Sequence, residues 1–491
     1  MAFFETDNVQ LKEAFDWAVQ KIPTWVQPAG EIGPVNEGLS PDAVYIPCFV
    51  AGHKTRTCFF SRDYVHSVYG AEFMGLREEC YHMMKAFAES AWKSRNYYAI
   101  WAINFDGKTP HRGDYFNEDR FVREIPAQFE LVESAYRQYL WTGDERYISD
   151  EMFEFYTHIM VDFVNIYDTN GNGIPEGVGD MEDGYATYDE RIDARLPEGT
   201  LYFEAGDAIG CQYQAMLAYA GFCKARGDMN AYAEWCDKAA ALKKYFNEEW
   251  SVIDGDKNGI FAHAVDLKDH TKKYSGFSVE TSVLMPLKLV TEPGERTDRY
   301  LDLIDAGQGT GIGFPGASNN IEGYTYYPEL YFLYDKIDTA WKWMKYILDT
   351  RHLPHESPRQ GPNGNYPEIS FNVVAHTVQG MMGVDVNVPE GKISTFSRLP
   401  NEVKYTILNE YVIGDHKLSI MHYGRNISSL TNHEGEVIEW TAYFVGDHDV
   451  LMVDAVPTKA QHTKINGVDV SYVTVKVKHN YCITVNVPYD C

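Results

Sequence analysis

The chain has 491 residues and a formal net charge of −28 at pH 7. Nucleic acid and anionic membrane surfaces demand basic patches, so this balance argues against both as partners and fits a neutral or cationic small substrate, or plain solubility. Hydrophobic residues make up 45% and charged residues 23%, enough apolar material for one large domain and a smaller one. No uninterrupted apolar run approaches the ~18 residues of a membrane-spanning helix.

The start, "MAFFETDNVQLKEAFDWAVQKI", turns amphipathic at once. It lacks a basic segment and an apolar segment of the secretory kind, so a cytoplasmic location is expected. The cysteines show no CxxC spacing, which predicts free thiols. Aromatic residues reach 14%. Most belong in a core, but aromatic faces also stack on the C–H face of a pyranose.

In chain order, helical signals recur in pairs. "NVQLKEAFDWAVQKI" comes first, then "RDYVHSVYGAEFMGL" with "EECYHMMKAFAESAW". "IPAQFELVESAYRQYLWTGD" returns apolar residues at spacings of three and four and ends at Gly143. "ERYISDEMFEFYTHIMVDFVNIYD" follows it directly. Further pairs cover "EAGDAIGCQYQAMLAYAGFCKARGD" with "MNAYAEWCDKAAALKKYFNEEW", "ETSVLMPLKLV" with "RTDRYLDLIDAG", and "YPELYFLYDKID" with "DTAWKWMKYILDTR". "ISFNVVAHTVQGMMGV" closes the series. Short links alternate with long loops, so the long loops gather at one end of a ring of hairpins, where a site can be assembled. After Pro389 polar and apolar residues alternate, and "INGVDV" carries a hairpin turn. The expected layout is a helical domain over 1–390 and a β-sandwich over 391–491.

Four stretches could carry chemistry. In "CFFSRDYVHSVYG", Arg62 and Asp63 stand at a helix start. The pair can clamp neighbouring sugar hydroxyls, or Asp63 can simply favour the helix dipole. Glu124, in "VREIPAQFE", opens the next inner helix and has the same two readings. In "DTNGNGIPEGVGDMEDG", Asp168, Asn170, Asn172, Ile174 and Glu176 follow the first half of a calcium-loop pattern. The twelfth position is Gly179, where that pattern wants a bidentate Glu. A turn held by Asx hydrogen bonds explains the same residues. Asp180, Glu182 and Asp183 then crowd together, and mutual repulsion raises one pKa, as a general acid requires. A solvated acidic loop is the alternative. Last, "RHLPHESPRQGPNGNYPEISFN" holds His355, Glu356, Arg359 and Glu368 before the final helix. A catalytic base fits there; Glu368 also suits a plain first-turn position and His355 a surface loop. Tyr326 joins the sugar-binding candidates. Nucleotide and nucleophile motifs are absent, and no cofactor beyond a structural calcium is expected.

These clusters, in this order, resemble the six-hairpin glycosidases, the (α/α)6-barrel glycoside hydrolases. "FFSRDYVHSVYGA" resembles the Arg-Asp signature of glucoamylase-like enzymes, which holds the terminal sugar. "DTNGNGIPEGVGDMEDGYATYDE" followed by "GDAIGCQYQAMLAYA" is similar to the acid-bearing loop of the bile-acid β-glucosidase family. Asp180 takes the acid's place best, with Asp183 second. "HESPRQGPNGNYPEISFNVVAHTVQGMMGV" resembles the segment before the last helix in glucoamylases and α-L-rhamnosidases. Its spacing favours Glu356 as base, with Glu368 competing. The tail resembles the C-terminal sandwich of rhamnosidase-type enzymes.

The resemblance implies a mainly α protein, an (α/α)6 toroid with a C-terminal β-sandwich. It implies an exo-acting, inverting glycoside hydrolase working on the non-reducing end of an oligosaccharide or small glycoside. Inversion requires two carboxyl groups ~6.5–9.5 Å apart. Two other readings use the same residues. A phosphorylase would replace the base with a phosphate pocket built from His355, Ser357 and Arg359. A non-catalytic carbohydrate-binding protein would need neither acid nor base.

Overall fold

The first helix shows how local sequence starts each element. Asn8 Oδ1 accepts the Leu11 N–H at 3.0 Å, capping α1 (Val9–Lys21). The computed structural model describes residues 3–118, 120–179, 187–189, 201–273, 279–306 and 321–488. Among the described residues there are twelve helices. After α1 come α2 (Ser61–Phe73), α3 (Arg77–Ser90) and α4 (Ile125–Thr142). α5 (Asp150–Thr157) continues through a π-helical turn, His158–Phe163, and Val164–Tyr167. Then follow α6 (Gly206–Ala225), α7 (Met229–Tyr245), α8 (Val279–Leu287), α9 (Glu295–Ala306), α10 (Tyr326–Leu333) and α11 (Ile337–Thr350). α12 (Pro367–Ala375) runs on into a π turn, His376–Met381.

The even-numbered helices touch in succession from α2 to α10, and α12 meets both α10 and α2, closing a ring. Each odd-numbered helix packs outside an even one, α1 against α12. The residues dictate this sorting. α11 buries Ile337, Ala340, Trp341, Met344, Ile347 and Leu348, a one-sided stripe suited to an outer layer. α6 is buried along nearly its whole surface, as an inner helix must be. At the α2–α12 crossing, a Cβ on Gly70 would lie 2.2 Å from the Phe371 carbonyl oxygen, so only glycine permits that approach.

The ring's interior is threaded by charge. Arg62 Nε meets Glu130 Oε2 at 3.2 Å. Lys288 Nζ bridges Glu130 Oε1 at 3.1 Å and Glu133 Oε2 at 2.7 Å. Arg137 Nη2 ends the chain on Glu133 Oε1 at 2.6 Å. Signs alternate, so each charge on the line, from buried Arg62 to half-buried Arg137, has an opposite neighbour.

The tail forms two sheets. Counting in chain order, β1 (Phe3–Thr6), β4 (Tyr405–Ile413), β5 (His416–Tyr423), β6 (Ile427–Glu434), β8 (Val450–Val453), β9 (Val456–Lys459) and β12 (Tyr481–Asn486) make one, ordered β1-β4-β5-β6-β12-β8-β9. β2 (Asp385–Asn387), β3 (Lys392–Phe396), β7 (Ile438–Val445), β10 (Gln461–Ile465) and β11 (Val468–Val477) make the other, ordered β2-β3-β7-β11-β10. β7 alternates buried and half-buried residues, the mark of a strand with one face on a core. The N-terminal strand belongs here too: Phe3 pairs with Asn409 and Thr6 with Thr406. The sandwich therefore takes residues from both sides of position 390. No described helix is long and apolar enough to cross a membrane.

Two expectations follow. Lys288→Met strands Glu130 and Glu133 together without a cation, and chemical denaturation should read a loss of ~3–5 kcal/mol. Glu72 on α2 is 2% exposed, and burial pushes its pKa from 4.5 up to about 8. Between those values the folded chain keeps a proton that the unfolded chain has released, so stability falls as pH rises through that window. Glu72→Gln should flatten this slope, with a melting temperature that exceeds the wild type's most clearly near pH 8.

Candidate active site

One rim of the ring collects the first turns of the even helices. Arg62 and Asp63 lie in the first turn of α2, Glu124 is the N-cap of α4, Asp207 is second in α6, and Tyr326 opens α10. Pro367 occupies the first position of α12, where its missing N–H costs nothing, and this sets Glu368 in the first turn. Positive helix ends therefore face a common space. That space is a cavity of about 240 Å³. Arg62, Asp63, Glu124, Tyr326 and Glu368 line it, together with His53, Arg56, Trp101, Glu322 and Tyr366.

Glu368, 3% exposed, is gripped through Oε1. That oxygen accepts from Thr325 Oγ1 at 3.0 Å and Asn372 Nδ2 at 3.4 Å, and hydrogen-bonds His66 Nδ1. His66 in turn stacks on Tyr326, ring centroids 3.9 Å apart. Tyr366 OH donates to Asp63 Oδ1. Burial and the neighbouring Glu368 push Asp63 up to about 7, against the pull of Tyr366 and Arg62. Burial likewise raises Glu124 to about 7, with Arg62 opposing. Asp207 rises to about 6 for the same reason. Burial lowers His53 to about 4. The cavity thus holds carboxyl groups that exchange protons near neutrality, which acid–base chemistry requires.

The other predicted residues fall elsewhere. His355 is buried beside the cavity: its Nδ1 accepts the Ser357 N–H at 3.0 Å, so the proton sits on Nε2, which donates to Glu322 Oε1 at 3.3 Å. The turn that carries His355 inward leaves Glu356 and Arg359 exposed, and neither lines the cavity. Asp180, Glu182 and Asp183 lie outside the described residues.

In the loop before them, Asp168 accepts backbone N–H groups from Gly171 at 2.8 Å, Asn172 at 3.0 Å and Gly173 at 2.8 Å. Glu176 Oε2 accepts from Thr169 N at 2.8 Å, and Asn172 Oδ1 from Ile174 N at 2.9 Å. The amides of Asn170 and Asn172 both donate to Glu204 Oε1 at 2.7 Å. Among the described residues no group of three or more His, Cys, Asp or Glu side chains is disposed to hold a metal ion.

Sequence reading missed Glu322, Trp101, Tyr366, His53 and His66. Tyr366 had a signal, standing just before Pro367 at a helix start. Glu322 stood just ahead of the aromatic run "GYTYYPEL". The others looked like ordinary core or loop residues.

No protein-family model matches the chain, and no curated protein matches its sequence. Solved structures do match in shape. A GH78 family rhamnosidase of Bacillus sp. GL1 superposes with TM-score 0.57 at 12% identity, over 88% of this chain and 41% of its own. An α-L-rhamnosidase from Dictyoglumus thermophilum gives TM-score 0.57 at 11% identity, over 99% and 50%. A kojibiose phosphorylase from the human microbiome, named as putative in its description, gives TM-score 0.53 at 8% identity, over 97% and 63%. The chain spans less than two thirds of the length of each. A closed ring of six helical hairpins joined to a β-sandwich, shared with these proteins, identifies the fold as that of the six-hairpin glycosidases.

Proposed function

We propose that the protein is a glycoside hydrolase that removes a sugar from the non-reducing end of an oligosaccharide or small glycoside. One observation carries this reading: Arg62, Asp63, Glu124, Tyr326 and Glu368, far apart in the chain, surround a single cavity. At about 240 Å³ it is smaller than the ~300–1,000 Å³ of drug-sized ligand sites, which suits one sugar ring and exo action.

In this proposal Glu368 is the general base. Its grip by Thr325, His66 and Asn372 fixes the carboxylate where a water can be activated. Arg62 and Asp63 hold hydroxyls of the terminal sugar, and Glu124 adds a further polar contact. The general acid comes from the loop of Asp180, Glu182 and Asp183, with Asp180 the first choice. The chain around that loop supports this. Gly179 pairs with Leu201, and Thr187 pairs with Glu124, a residue of the cavity wall. Asp183 is four residues from Thr187, at most ~14 Å of extended chain. Inversion is the proposed stereochemical course.

The phosphorylase reading asks for a phosphate pocket of His355, Ser357 and Arg359, none of which lines the cavity; the cations that do are Arg56 and Arg62. Glu322 and Glu368, with Asp63 and Glu124 partly ionised near neutrality, oppose a phosphate dianion there, so hydrolysis is favoured.

A screen of aryl glycosides should find a substrate cleaved at the same rate with and without phosphate. On it, Glu368→Gln and Asp180→Asn should each lower kcat by ~10²-fold or more, with melting temperatures close to wild type. Full turnover by Glu368→Gln would remove the base assignment, and an absolute need for phosphate would replace hydrolysis with phosphorolysis. NMR of the first-formed sugar should show the anomer opposite to the substrate's.

A further inference from the structure

A second cavity, about 520 Å³, occupies the opposite end of the ring. Its walls come from the last turns of α4, α10 and α12 and from the sandwich strands β2 and β3. His66 lines this space and Tyr326 lines the upper cavity, so their stacked rings stand between the two.

The lower cavity carries charges of both signs, and of these Glu133 and Arg137 are paired with each other at 2.6 Å. Asp385 is exposed to it and, among the described residues, forms no ion pair. Desolvation inside the cavity raises its pKa, and Arg137 and Arg398 lie near enough to oppose that rise. Arg398 Nη1 donates to the Gly380 carbonyl at 3.2 Å, while its Nε is buried with no hydrogen-bond partner among the described residues. His376, 3% exposed, is held neutral by burial, its pKa lowered to about 3, and its Nε2 is buried with no hydrogen-bond partner among the described residues. Trp141 and Phe396 supply aromatic wall, with the Arg398 guanidinium 4.5 Å from the Phe396 ring centre.

This lining selects a chemical class. Carboxylates at Asp385 and Glu329 repel an anion and Arg398 repels a cation, while Glu133 and Arg137 offset each other. An apolar guest would strip water from Asp385 and leave it unpaired. A sugar suits this lining: its hydroxyls donate to Asp385 and accept from Arg398, and its C–H face lies on the aromatic wall. We propose that this cavity is a second binding site for a small neutral saccharide, separate from the Glu368 pocket. It stands on its own lining and not on the catalytic reading.

The test uses D-glucose and L-rhamnose as probes on the full chain. Soaked crystals should show a sugar ring between Asp385 and Arg398. Calorimetric titration should show that component of binding weakened about tenfold or more in Asp385→Ala, and again in Arg398→Met, while Glu368→Gln retains it. Melting curves confirm that each variant is folded. Only water in the lower cavity of the soaked crystals, or titrations unchanged in both folded variants, would overturn the site. Loss of turnover in Glu368→Gln with lower-cavity binding intact separates the two proposals.

Discussion

The line of charge through the ring, buried from Arg62 through Glu130 to Glu133 and ending at the half-buried Arg137, with Lys288 between the two glutamates, is the constraint on which the rest of the barrel leans. The six inner helices face one another across the axis of the ring. This chain puts ionic groups there, and ionic groups out of water are tolerable only with partners. Alternation of sign solves the problem along the axis. It also joins α2, α4 and the end of α8, so three helices are set at fixed heights relative to one another. Arg62 is both the top of this line and a wall residue of the upper cavity, so the line positions it for a ligand.

The second organising fact is direction. The even helices begin at one rim and end at the other. Their starts bring unsatisfied N–H groups and positive dipole ends to the upper cavity, and the carboxylates of Asp63, Glu124 and Glu368 gather there, with Asp207 buried at the start of α6. Favourable helix ends and unfavourable burial act against each other. Burial wins at Asp63 and Glu124, both near 7. Glu130, equally buried but held between Lys288 and Arg62, stays below the usual carboxylate range. Neighbouring cations decide which carboxyl groups remain charged and which exchange protons.

At the far rim the sandwich takes part in the barrel's closure. Asp385, Phe396 and Arg398 reach the lower cavity from strands and links of the sandwich. Trp141 Nε1 on α4 donates to Tyr411 OH at 3.2 Å, and Arg425 Nη2 meets Asp335 Oδ1 at 2.6 Å. The sandwich is thus more than a tail: it supplies wall to a chamber whose other walls are helix ends.

The sequence alone determined what local periodicity can determine. Apolar residues at spacings of three and four located the helices, and alternation after Pro389 located the strands of the tail. Charged residues at helix starts marked Arg62, Asp63, Glu124 and Glu368. Strands of three to five residues, such as Thr187–Asp189 against Arg120–Glu124, carry too little pattern to read, yet they frame the rim. The enlistment of Phe3–Thr6 into the sandwich was equally silent, since its partner strand lies some 400 positions away. Only tertiary structure chose Glu368 over Glu356 for the cavity, because that choice depends on which way one turn faces. Only tertiary structure gave Asp63 its Tyr366 partner, 303 residues distant, and Glu368 its His66 partner, 302 residues distant. Side chains that meet through closure of a ring share no spacing in the chain, so no periodicity can announce them.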